Sequence, residues 1–131
     1  MSVVLIADDS GFIREDLKNC LESLGHQVVE AIDGSDGVQK FTEHREQIDL
    51  IFSDINMPKL DGLGMCRQIQ EYCLKNPGKK MPPVLALTTE TSLELKQEGK
   101  KLGVIAWLNK PFDRDTLKGV LDLVFKKFGI S

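Results

Sequence analysis

The run Val3-Val4-Leu5-Ile6-Ala7-Asp8-Asp9 decides how the chain is read: five apolar residues without alternation, then two aspartates. A continuous apolar run of this length fits a parallel strand covered on both faces, whereas a strand with one wet face would alternate. The next segment puts Ile13, Leu17, Cys20, Leu21 and Leu24 on one helical stripe, with Gly25 as a stop. The same couplet then recurs. Gln27 to Ala31 reads as a second strand, Asp33-Gly34 as a turn, and Ser35 as the N-cap of a short helix burying Val38 and Phe41. Asp49 to Ser53 is the third strand. A loop from Asp54 to Gly62, interrupted by Pro58, leads to a helix that buries Cys66, Ile69 and Cys73 and breaks at Asn76-Pro77-Gly78. Pro83 to Leu87 is the fourth strand. The helix from Thr91 to Leu102, capped by Thr91, has only Leu95 and Leu102 as anchors and Gly99 inside it, so it is expected to be the most weakly held. Val104 to Leu108 is the fifth strand, and Asp113 caps a last helix with Leu117, Val120, Leu121, Val124 and Phe128 inward.

Strict alternation with short connections implies right-handed crossovers and a parallel sheet between two helix layers. The 131 residues read as one domain, 1–131, with no linker or repeat and no room for an output domain. With 41% hydrophobic and 28% charged residues the chain reads as soluble and globular. A net charge of −3 without a Lys or Arg run argues against nucleic acid as a partner. The stretch Val3 to Ala7 is too short for a signal-peptide core, and nothing approaches membrane-spanning length, so no membrane partner and a cytoplasmic location are expected. Cys20, Cys66 and Cys73 lack metal spacing and lie on helical stripes, which suits buried reduced thiols. His26 and His44 fall at helix ends with no ligand cluster near them.

Four of the strands end on reactive polar residues: Asp8 and Asp9, Asp54, Thr88, and Lys110. In a parallel sheet those ends share one edge, where ligands bind in the crevice beyond the strands. Three carboxylates together repel one another and raise at least one pKa, and a cation resolves this. Mg²⁺ or Mn²⁺ takes one or two carboxylates and keeps other positions for water, a carbonyl and a phosphate oxygen. A plainer alternative has Asp8 or Asp9 capping the next helix and Asp54 paired with Lys110; the collection of all of them at strand ends favours the functional reading. A carboxylate can accept a phosphoryl group if the group is held in line and its charge compensated. Asp54, alone at the end of the central strand, is the best nucleophile, with the metal, Lys110 and the Thr88 hydroxyl around it.

At these residues the chain resembles a known family. Asp8-Asp9-Ser10, the run Asp54-Ile-Asn-Met-Pro-Lys-Leu-Asp-Gly62, Thr88-Thr-Glu90 and Lys110-Pro111-Phe112 resemble, in order and over the whole chain, the receiver domain of two-component response regulators. The resemblance implies a flavodoxin-like (βα)5 α/β sandwich with strand order 2-1-3-4-5, the order that flavodoxin and CheY exemplify. It implies that Asp54 accepts a phosphoryl group from the phosphohistidine of a histidine kinase, with Mg²⁺ held by Asp9, Asp54 and the Asn56 carbonyl, Asp8 assisting. It also implies a cis peptide between Lys110 and Pro111, and makes the chain a phosphoacceptor switch and not an enzyme.

Asn56 and Glu90, two residues beyond Asp54 and Thr88, resemble the chemotaxis branch, where these positions influence attack of water on the acyl phosphate. Thr88-Thr-Glu90, Gly99-Lys100 and Trp107-Leu-Asn-Lys-Pro-Phe112 look like a CheY subgroup. Two positions depart from the common pattern. Thr89 stands where many receivers have Ala or Gly, which narrows access to the phosphate, and Trp107 replaces the usual Tyr or Phe of the switch. The signal is expected to run from Thr88 through the weak helix to Trp107. The implied role is a stand-alone, monomeric chemotaxis regulator with a CheA-like kinase, a flagellar motor switch protein as target, and a phosphatase as a further partner. The alternative is a phosphorelay intermediate or phosphate sink serving a histidine phosphotransfer protein. A hydrolase with an aspartyl nucleophile is disfavoured because the nucleophile follows the third strand and no cap segment exists. A flavodoxin is disfavoured by the acidic Asp8-Asp9-Ser10-Gly11 loop.

Overall fold

A computed structural model describes residues 2–57, 59–89 and 92–129. Strands β1 (Val3–Ala7), β2 (Gln27–Ala31), β3 (Ile48–Asp54), β4 (Val84–Thr88) and β5 (Val104–Asn109) alternate with helices α1 (Gly11–Ser23), α2 (Gly34–His44), α3 (Gly62–Lys75), α4 (Leu93–Lys101) and α5 (Arg114–Phe128). All pairings are parallel and the strand order is β2-β1-β3-β4-β5. The flavodoxin-like arrangement expected from the sequence is therefore present.

The apolar runs of the central strands feed two cores because successive side chains point to opposite faces. Leu5 and Ala7 face Phe41 of α2 and Met65, Cys66 and Ile69 of α3. Val4 and Ile6 face Leu17, Cys20 and Leu21 of α1 and Leu117, Leu121 and Val124 of α5. Each fully buried Leu, Ile or Phe contributes about 2 to 3 kcal/mol by leaving water. The cysteines are free; Cys20 and Cys66 are buried and Cys73 is half-buried. Burial pushes the Cys66 thiol up to about 12, so it is inert at neutral pH.

Every helix begins with a side-chain cap at the carboxyl edge of the sheet. Ser10, Asp33, Asp61, Ser92 and Asp113 accept from Ile13, Asp36, Gly64, Leu95 and Thr116 N–H respectively. Each such cap is worth about 1 kcal/mol. Asp33, not Ser35, therefore caps α2, because its carboxylate reaches the N–H three residues on. The Thr91 cap expected for α4 lies outside the described residues, and Ser92 fills that role.

Two apolar assignments also change. Leu24 is the exposed C-cap residue of α1 and not part of its buried stripe. Phe128, the last residue of α5, is 42% exposed; Val120 packs half-buried against the core as expected, and half-buried Phe125 joins that stripe and meets the His26 ring edge-on. Helix α4 is as thinly anchored as expected: Gly99 is its one buried residue, with Leu95 half-buried. Among the described residues no helix is long and apolar enough to cross a membrane.

Candidate functional site

Asp8, at the end of β1, is fully buried and is fixed by the Ser10 N–H, which donates to its Oδ1 at 2.9 Å. Asp9 beside it is exposed. Asp54 is the last residue of β3 and is buried; the Asn56 N–H donates to its Oδ1 at 3.3 Å. One carboxylate oxygen from each of Asp8, Asp9 and Asp54 lies within 4.8 Å of the others. Lys110 follows β5, and its Nζ stands 3.0 Å from Asp8 Oδ2 and 3.1 Å from Asp54 Oδ2. The Lys110–Pro111 peptide is cis. Thr88 ends β4, is fully buried, and its carbonyl accepts from the Lys110 N–H at 2.8 Å.

The electrostatics follow from this crowding. Burial, with Asp8 alongside, holds the Asp54 carboxyl above its ordinary range, and the bonds from Lys110 and Asn56 only partly offset this. Burial alone would lower the Lys110 ammonium, but its bonds to Asp8 and Asp54 more than compensate and raise it. The plainer ion-pair reading and the metal reading thus coexist: Lys110 bridges two of the carboxylates, while Asp9 and the outward oxygens leave a cluster of hard ligands. The three carboxylates together offer an all-oxygen donor set, which suits Mg²⁺. The acidic triad is a Mg²⁺ site; when bound, the ion would neutralise charge on an incoming phosphoryl group.

The structure adds two supports to the site. The Arg14 guanidinium donates to the Asp8 carbonyl at 2.7 Å and pairs with Glu30 at 3.6 Å, so α1 and β2 together fix the end of β1. Asp61 caps α3, and its position before Gly62 and a helical stripe was the signal available for it. Asn56 and Thr89 are exposed at the site's edge, and Glu90 lies outside the described residues.

Trp107, on β5, is half-buried and pairs in register with Ala86, on the strand that ends at Thr88. Its six-membered ring lies against the backbone of α4, where a Cβ on Gly99 would come 2.7 Å from Cζ2 and 3.2 Å from Cη2. The large indole is accommodated because residue 99 has no side chain. In an open helix Gly→Ala gains about 1 kcal/mol. Here Gly99→Ala is expected to cost about 1 to 3 kcal/mol by overpacking. In a Trp107→Phe background, which lacks those two atoms, the same change should cost less, with only the 3.3 Å approach to Val104 Cβ left. Urea unfolding of the four proteins checks this, and equal effects in both backgrounds would remove the coupling.

The carboxyl edge of this parallel sheet brings an acidic triad and a lysine bridging two of its members to one place, the arrangement of a receiver-type α/β phospho-switch. The chain belongs to the response regulator receiver domain family, whose pattern matches residues 4–122. It is 36% identical over 118 residues to Protein PilG of Pseudomonas aeruginosa, covering 90% of this chain and 83% of PilG. The structure of chemotaxis protein CheY4 of Vibrio cholerae superposes with a TM-score of 0.83 at 40% identity, covering 95% of this chain and 98% of that one. A CheX–CheY complex of Borrelia burgdorferi with BeF3 and Mg²⁺ gives a TM-score of 0.82 at 31% identity, covering 97% of this chain and 89% of that one. Other relatives are much longer than the match; the chain spans 57% of one and 5% of another.

Proposed function

We propose that Asp54 accepts a phosphoryl group from the phosphohistidine of a histidine kinase, in a Mg²⁺-dependent reaction. The observation that carries this is the setting of Asp54: buried at the end of the central strand, 3.1 Å from Lys110 Nζ and within the Asp8-Asp9 cluster. In the transfer the P–N bond of phosphohistidine breaks and an O–P bond forms on the Asp54 carboxylate, the imidazole leaving. Transfer of this kind depends mainly on positioning and charge compensation. Asp8 and Asp9 serve the cation together with Asp54 and the Asn56 carbonyl, while Lys110 and the Thr88 hydroxyl take the phosphoryl oxygens. Asn56, Thr89 and Glu90 then tune hydrolysis, and Trp107 reports the state of Thr88 to the α4–β5 surface.

The downstream reading is a cytoplasmic receiver unit of the chemotaxis type. Its kinase is CheA-like and its target a flagellar motor switch protein. Similarity to CheY4 over 98% of that chain supports it. The second reading is a phosphorelay intermediate or phosphate sink serving a histidine phosphotransfer protein, kept in view by 36% identity to PilG, a relative whose name is not a chemotaxis one.

Incubation with acetyl phosphate and Mg²⁺, followed by intact mass and peptide mapping, tests the core of the proposal. One phosphoryl adduct on the peptide carrying Asp54, absent with chelator, is expected; an adduct formed equally without divalent cation would overturn it. Binding of the phosphorylated protein to a motor-switch peptide, set against return of the phosphoryl group to a histidine phosphotransfer domain, separates the downstream readings.

A further inference from the structure

The far end of the sheet carries a feature that phosphorylation chemistry does not use. The segment between α3 and β4, Asn76 to Pro83, is fastened by two cations. Arg45, the C-cap residue of α2, donates through its two terminal nitrogens to the carbonyls of Asn76 and Lys79, the latter at 2.8 Å. Lys79 Nζ reaches back to the carbonyls of Glu46 and Ile48 and to Asp49 Oδ1, at 3.2, 3.0 and 3.0 Å. These reciprocal bonds hold a hollow of about 480 Å³, largely apolar, against the end of α3, where Leu74, Pro77, Met81 and Pro82 form its walls. Leu74 is 78% exposed beside it.

The charge here is one-sided. The chain carries a net charge of −3, yet the charged side chains lining the hollow, Arg45, Lys79 and Lys80, are all basic. Lys79 has Asp49 as its partner. Lys80 is exposed and Arg45 is only 9% exposed; neither has a carboxylate within ion-pairing distance among the described residues. Arg45 lies over the Tyr72 ring, and its Nε is buried without a hydrogen-bond partner. Arg45 also meets the Cys73 side chain, and the Glu46 carboxylate lies beside it at Gly78, so the exposed Lys80 is the cation left to meet an added anion.

We propose that this hollow is a docking groove for an acidic peptide segment of a partner protein, in which a bulky apolar side chain enters beside Leu74 and Met81 and a flanking carboxylate approaches the exposed Lys80. The apolar walls and the prefastened loop favour a peptide, because a rigid groove loses little freedom on binding. Nucleic acid is disfavoured. Among the described residues no aromatic ring lines the hollow for base stacking. The groove lies at the amino edge of the sheet, opposite Asp54, so the proposal does not rest on the phosphoacceptor reading.

The test is an amide-resolved NMR titration of the whole ¹⁵N-labelled protein. The probes are capped pentapeptides with one Leu or Phe flanked by Asp or Glu, each taken to about 5 mM because single short segments bind at millimolar strength. Saturable shifts confined to amides of residues 73–82 and 103 are expected. Lys80→Glu should weaken binding about fivefold. Leu74→Ser should weaken it about tenfold. Both positions are exposed, so neither change threatens the fold. The proposal is overturned by any of four results: no saturable shift at these amides, equal binding of peptides with Lys in place of the acids, equal or tighter binding of a short oligonucleotide, or self-association of the protein through the same amides.

Discussion

Asp54→Asn is expected to abolish the Mg²⁺-dependent phosphoryl adduct altogether, because an amide oxygen is not a nucleophile of carboxylate strength and the neighbouring carboxylates are differently placed. Asp8 is fully buried and tied to the Ser10 N–H and Lys110, and Asp9 faces solvent off the strand end. The same substitution should alter stability in two opposed ways. Without metal, Asp54 is held above its ordinary pKa by burial and by Asp8, so its charged form is disfavoured in the folded protein. A neutral isostere escapes that penalty, and the metal-free variant should melt at or above the wild-type temperature. With Mg²⁺ the order reverses, since a ligand that binds only the folded state stabilises in proportion to its affinity, and the variant has lost one of three carboxylates. Melting curves with and without Mg²⁺, beside intact mass after acetyl phosphate, give both readouts. An adduct that persists in Asp54→Asn moves the phosphoacceptor elsewhere.

The second large effect concerns Gly62, the first residue of α3. A Cβ there would lie 2.3 Å from the Asp54 carbonyl oxygen, 3.0 Å from Ile55 Cα and 3.0 Å from Ser53 Oγ. The first two contacts are backbone, pinned by the Ile55 N–H bond to Leu87 O and by the Gly62 N–H bond to Ile55 O, both 3.0 Å. Nothing flexible can give way, so Gly62→Ala must push the carboxyl end of β3 from its place. A loss of about 3 kcal/mol is expected, at the upper end of overpacking effects. Because the displaced residue is Asp54, Mg²⁺ binding should weaken in the fraction that remains folded. Gly119→Ala in α5 is the control: nothing lies within 4 Å of a Cβ there. It should stabilise by about 0.5 to 1 kcal/mol through helix propensity alone. Urea midpoints and Mg²⁺ titrations on both variants check the contrast, and a Gly62→Ala protein as stable as wild type would show that the backbone yields.

The strands were legible to within a residue or two because burial on both faces leaves an unbroken apolar run, and few other structures write that pattern. Val3–Ala7 and Gln27–Ala31 match the reading, while β3, β4 and β5 extend to include Asp54, Thr88 and Asn109. The site was legible for a related reason: parallel strands deliver their carboxyl ends to one edge, so the residues after each run meet whatever the details of packing. Helix ends were less legible. Asp33 and Ser35 are both good capping residues, and the choice between them depends on the turn geometry that leaves Asp33 extended. Phe128 and Leu24 fit their stripes by spacing, yet one is the last residue of α5 and the other the C-cap of α1, and both are exposed.

The sequence by itself determined the alternation of elements, the pairing of apolar faces with the sheet and the meeting of Asp8, Asp9, Asp54, Thr88 and Lys110, since each depends on periodicity and chain direction. Tertiary structure alone decided that Lys110 bridges Asp8 and Asp54, that Arg14 and Glu30 brace the end of β1, and that glycine is demanded at 62 and 99. The physical reason is range. Hydrogen-bonded pattern and burial act along the chain over a few residues, whereas a counterion or a steric contact is set by distances of about 3 Å between segments up to 102 residues apart.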